Sequence, residues 1–175
     1  MTQSFWSDEA FSYLVAARRI SEIITISAND FGPPLFYLIL HFWIKIVDKS
    51  EVLLRALPLT FFVLSVYVFS IYIEKILKVK GKLIWIYSLL FLLNPFLLYF
   101  AFELRSYSLF LLLTLTSFYF FQMGNFKKYV LFSIMGLYTH YFFSLVLLTQ
   151  LILVNLNRNK ASFSARGVMV HLLFF

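Results

Sequence analysis

An acidic pair beside a tryptophan, Trp6-Ser7-Asp8-Glu9, is the first place in this chain where side chains could do chemistry. A carboxylate there can take a proton from an incoming hydroxyl, which is general-base work. The same residues also suit a helix start. Ser7 or Asp8 would cap it, and acids in the first turn favour the macrodipole. A further acid, Asp30, precedes Phe31-Gly32-Pro33-Pro34, which reads as a turn and a helix start. Glu103 and Arg105 stand at the head of a long apolar run, with Tyr107 two residues on. An ionisable group in that position points to function, and a guanidinium fork matches an anionic phosphate. An internal Glu103–Arg105 contact is the structural alternative. His140, within Tyr138-Thr139-His140-Tyr141, is a lone imidazole, more often structural than catalytic, and His41 on an aromatic-rich face reads as packing.

The elements that must position these groups are apolar. Hydrophobic residues make up 62% of the 175 and charged ones 13%, with a mean hydropathy of +0.86. Soluble domains run at about 45–50% and about 25%. The excess lies in four charge-free runs, Ala56–Ile73, Leu83–Phe102, Ser106–Phe126 and Tyr129–Asn157. Runs of about 20 such residues match a helix crossing ~30 Å of hydrocarbon. The expected fold is therefore all-α, a polytopic transmembrane helical bundle. Its first outer loop would hold amphipathic or in-plane helices over residues 1–51, and the membrane region would cover 52–175. The chain has no cysteine, which excludes disulfides, thiolate catalysis and Cys-based zinc sites. The net charge of +7 does not argue for nucleic acid, because the basic residues lie between the apolar runs.

Basic clusters at Lys75–Lys82, Lys127-Lys128 and Arg158–Arg166 belong on the cytoplasmic side. Keeping all three inside puts the Glu103-Leu104-Arg105 hinge outside and breaks Tyr129–Asn157 near His140 into two short arms, a single long tilted helix being the alternative; Asn94-Pro95 marks a kink in the second run. Pro33–Val47, about fifteen apolar residues, suits an in-plane segment. Seven acids and six basic residues, Arg55 among them, then lie outside, against Glu74 and nine basic residues inside. Acids collect on one face. Asp8, Glu103 and His140 are expected to converge there on one pocket.

Five segments in order carry a resemblance: Trp6–Ser12, Asp30–Trp43, Ser50–Arg55, Asn94–Tyr107 and Leu137–Phe142. Together they resemble bacterial relatives of the dolichyl-phosphate-mannose protein mannosyltransferases, C-type membrane glycosyltransferases. The resemblance covers nearly the whole chain. It implies transfer of a sugar from a polyprenyl-phosphate donor to a lipid, polysaccharide or protein acceptor, outside a bacterial plasma membrane. Asp8, with Glu9 beside it, would deprotonate the acceptor. Arg105 and His140 would hold the donor phosphate, with Asp30, Glu103, Arg55 and Tyr107 as further outer-face candidates. No cofactor is called for, and whether a divalent metal takes part is open. Relatives carry a helix before the Trp-x-Asp-Glu segment and more after the Thr-His turn, so the resemblance implies an N-terminal fragment. Two other classes remain. A transporter or channel subunit would carry ionisable residues in mid-helix, where these runs have none; an inactive membrane fragment would carry no activity.

Overall fold

The computed structural model describes residues 7–29, 32–47 and 50–163, with side chains described as far as residue 156. All regular structure among the described residues is helical: α1 (Ser7–Ala16), α2 (Ile20–Asn29), α3 (Leu35–Val47), α4 (Glu51–Lys75), α5 (Lys82–Leu92), α6 (Pro95–Ala101), α7 (Tyr107–Gln122), α8 (Phe126–Leu137) and α9 (Phe143–Phe163). The chain groups into two compact units, Met1–Phe143 and Ser144–Phe175. Trp6, Asp30 and Arg166 lie outside the described residues, and so do the side chains of Arg158 and Lys160.

Among the described residues one helix, α4, is long and apolar enough to cross a bilayer, and its most apolar window is only 28% buried. A core helix of a soluble protein would be mostly covered. Here Val63, Leu64 and Tyr67 are exposed, as are Trp85, Leu89 and Leu90 on α5. Exposed apolar surface on this scale marks an interaction with lipid or protein. The α5–α6 pair passes the same test only as one bent span, with 60° between its halves. Its break falls at Asn94-Pro95, as the sequence indicates. The Asn94 side chain accepts from the Phe96 and Leu97 amides at 3.1 and 3.2 Å, and Pro95 needs no donor at the first helical position.

In the first unit α4 packs against α5 and α7, and α7 against α8. Small hydroxyl residues sit where the helices meet: Ser70 pairs with Ser88 at 2.7 Å and Ser117 with Ser133 at 3.1 Å. Small residues let backbones approach closely, and each hydroxyl satisfies the other. Phe91 stacks on Phe69 at 4.4 Å beside the first pair. Asn125 starts α8 by accepting from the Lys128 amide at 3.2 Å. The apolar run from Tyr129 breaks at 138–142, as the loop charges require.

The acidic pair lies in the first turn of α1, and α2 follows. His41 packs against the end of α1. Its buried Nδ1–H donates to the Ala16 carbonyl at 2.7 Å. That oxygen belongs to the last residue of α1, one of the helix's terminal carbonyls, and His41 satisfies it.

Gly136 lies on the buried side of α8, where an added Cβ would collide with the fully buried Phe143 ring. Gly136→Ala should therefore destabilise the fold by about 1–3 kcal/mol, with part of the loss recovered by Phe143→Leu. Thermal unfolding in detergent reads this, and an unchanged midpoint would mean that the ring moves aside freely.

Candidate active site

The helices at one end of the first unit bring together residues that are far apart in sequence. Asp8 opens α1, and its Oδ2 accepts from Arg105 Nη1 at 2.6 Å across 97 positions. Both side chains are open to solvent, at 62% and 37% exposure, so this contact adds little to stability. Its geometry matters more than its energy.

Glu9 has a different environment. It is buried, and its two carboxylate oxygens accept from Arg55 Nε and Nη2 at 3.1 and 2.7 Å. Oε1 also accepts from the Leu104 amide at 2.9 Å. One carboxylate thus ties α1 to α4 and to the turn that carries Arg105. The adjacent acids have separate work. Glu9 holds the frame, and Asp8 faces the open.

Two clefts meet at Arg105. The first, of about 430 Å³, is lined by Ser7, Asp8, Ser12, Phe36, Tyr37 and Arg105. The second, of about 490 Å³, shares Phe36, Tyr37 and Arg105 and continues over Tyr107, Phe110 and His140. The Arg105 guanidinium lies 5.0 Å from the centre of the Tyr107 ring, a cation–π contact that limits where it can swing. Stitching α3 to the His140 turn, the Leu35 amide donates to the Tyr138 carbonyl at 2.9 Å. Pro33 and Pro34 pre-shape the start of that helix.

His140 Nδ1 accepts from the Phe142 amide at 3.2 Å, so its proton resides on Nε2. Burial, and after it the Arg105 cation, lowers the affinity of this imidazole for a second proton. The folded state therefore binds fewer protons than the unfolded chain. The contribution of His140 to stability is complete above its ordinary pKa of about 6.5 and is lost as the pH falls below that value. Between pH 7 and pH 5 the wild-type unfolding midpoint should fall more steeply than that of His140→Gln; parallel curves would remove His140 from the balance.

The sequence expectation of one pocket holding Asp8, Glu103 and His140 requires correction. Asp8 and His140 occupy adjoining clefts joined by Arg105, and Glu103 lines neither. Leu104, between Glu103 and Arg105, is fully buried. Glu103 lies near Tyr99 instead. Arg55 meets Glu9, and Tyr107 lines the second cleft. Asp30 lies outside the described residues. Sequence reasoning missed Phe36, Tyr37 and Phe110 as lining groups. Only the position of the first two just after Pro33-Pro34 could have suggested them. Among the described residues no group of three or more His, Cys, Asp or Glu side chains could hold a metal ion.

Comparison with protein-family models, curated proteins and solved structures finds no match.

Proposed function

We propose that this chain forms the acceptor-activating and phosphate-binding part of a polytopic membrane glycosyltransferase, working at the outer face of a bacterial plasma membrane. The observation that carries the reading is the meeting of Asp8 and Arg105 at the junction of two clefts. A base and an anion-binding cation at one point are what transfer from a phosphate-linked sugar needs. The exposed apolar faces of α4 and α5 support immersion in lipid, where a polyprenyl donor would diffuse.

In the proposed reaction the Asp8 carboxylate takes the proton of the acceptor hydroxyl. The acceptor oxygen bonds to the anomeric carbon as the bond from that carbon to the phosphate oxygen breaks. The electron pair leaves with polyprenyl phosphate, an already stable anion, so little acid catalysis is needed there. The fork of Arg105 and the Nε2–H of His140 stabilise the charge that develops on the phosphate. Glu9 and Arg55 act as positioning residues, since they hold the turn that bears Arg105.

The test uses the protein in liposomes with a radiolabelled polyprenyl-phosphate hexose or pentose. Release of polyprenyl phosphate with label passing to lipid, polysaccharide or protein is expected. Donor left intact across acceptors of all three classes would sink the reading and favour a chain without activity.

A further inference from the structure

Arg105 is the one charged side chain common to both clefts, and this gives it two possible partners. In the structure its Nη1 is held by Asp8 at 2.6 Å on the side of the first cleft. The other face of the guanidinium region opens to the second cleft, where Tyr107 lies against it and the Nε2–H of His140 is the neighbouring donor. A carboxylate whose charge is occupied by a guanidinium is a poor base. A guanidinium occupied by a carboxylate is a poor anion binder. Each ligand site is restrained by the other.

We propose that Arg105 is an exchange residue: an isoprenoid phosphate entering the second cleft takes the guanidinium from Asp8, and this frees Asp8 as a base only when donor is in place. The inference rests on the phosphate-binding role given to Arg105 above and adds a coupling between the clefts. Three features make the exchange feasible. The Asp8–Arg105 pair is solvent-exposed, so its release costs little. The turn under Arg105 stays fixed, because Glu9 holds the Leu104 amide next to it. The Tyr107 ring provides a surface along which the guanidinium can turn while keeping its cation–π contact. The consequence is order. Without donor, an acceptor hydroxyl in the first cleft meets a neutralised carboxylate and is not activated toward a wrong electrophile.

The experiment measures binding of farnesyl phosphate, and in parallel inorganic phosphate, to the purified full chain in detergent. Asp8→Asn should bind farnesyl phosphate roughly two- to fivefold tighter than wild type, the range set by the small worth of an exposed ion pair. That gain should vanish in an Arg105→Gln background, because the coupling runs through Arg105. Tightening of equal size in both backgrounds would mean simple charge repulsion from Asp8 and would overturn the exchange; so would no tightening in either. Where Arg105→Gln binds too weakly to rank, carbodiimide labelling decides. Farnesyl phosphate should accelerate modification of Asp8 relative to Glu9, and an unchanged or slower rate overturns the proposal. The same ranking with inorganic phosphate upholds the exchange and assigns the recognition to the phosphate alone. Failure of wild type to bind either probe would instead overturn the phosphate role of Arg105, which is a separate result.

Discussion

Asp8→Asn is expected to lower sugar transfer by roughly 10²–10⁴-fold, the range over which a positioned general base contributes. Its unfolding midpoint should stay close to that of wild type. The separation follows from the setting of the side chain. Asp8 is exposed, its ion pair with Arg105 is worth at most about 1 kcal/mol, and asparagine keeps the size and an acceptor oxygen. What asparagine lacks is the basicity to take a proton. The measurement is initial-rate transfer from a labelled donor, paired with thermal unfolding of the same preparation. Transfer at the wild-type rate would remove Asp8 from the mechanism, and a large fall in midpoint would make its role structural.

The largest stability effect is expected one residue away. Arg55→Leu removes both guanidinium hydrogen bonds from the buried Glu9 carboxylate, and breaking a buried pair in this way costs about 3–5 kcal/mol. The double substitution Glu9→Leu with Arg55→Leu should recover part of that loss, since no charge is then stranded. It should not recover all of it. The Leu104 amide would be left buried without its acceptor, at about 1–3 kcal/mol. Chemical denaturation of the three proteins in detergent tests the order wild type, double variant, single variant. A single variant as stable as wild type would show that Glu9 takes up a proton or finds water, and the frame role would fall. Loss of Arg55 should also loosen the turn that carries Arg105, so transfer should decline with stability. Asp8→Asn, by contrast, should separate the two.

Several features were legible in residue order alone because they depend on local chemistry. The helical class follows from apolar runs with no strand alternation. The break at Asn94-Pro95 follows from a capping side chain and a ring that fits the first turn. The break near His140 followed from charge, since one uninterrupted crossing would have put basic residues on the wrong side. The short Tyr107–Gln122 helix spans about 24 Å at 1.5 Å per residue, less than the run Ser106–Phe126 suggests, because its ends close in tight turns.

Other features depend on groups that meet only after the chain has folded. The last carbonyl of α1 is satisfied by His41, twenty-five residues away. The unlike roles of two adjacent acids are set by burial. Glu9 turns inward to Arg55 and Leu104, and Asp8 turns outward to Arg105. The sequence by itself determined that carboxylates, a guanidinium and an imidazole stand at the ends of apolar helices, because hydropathy expels charge from those runs. Only tertiary structure decided which of them meet. Ion pairs and hydrogen bonds act over about 3 Å, and that distance carries no trace in the spacing of residues 97 positions apart.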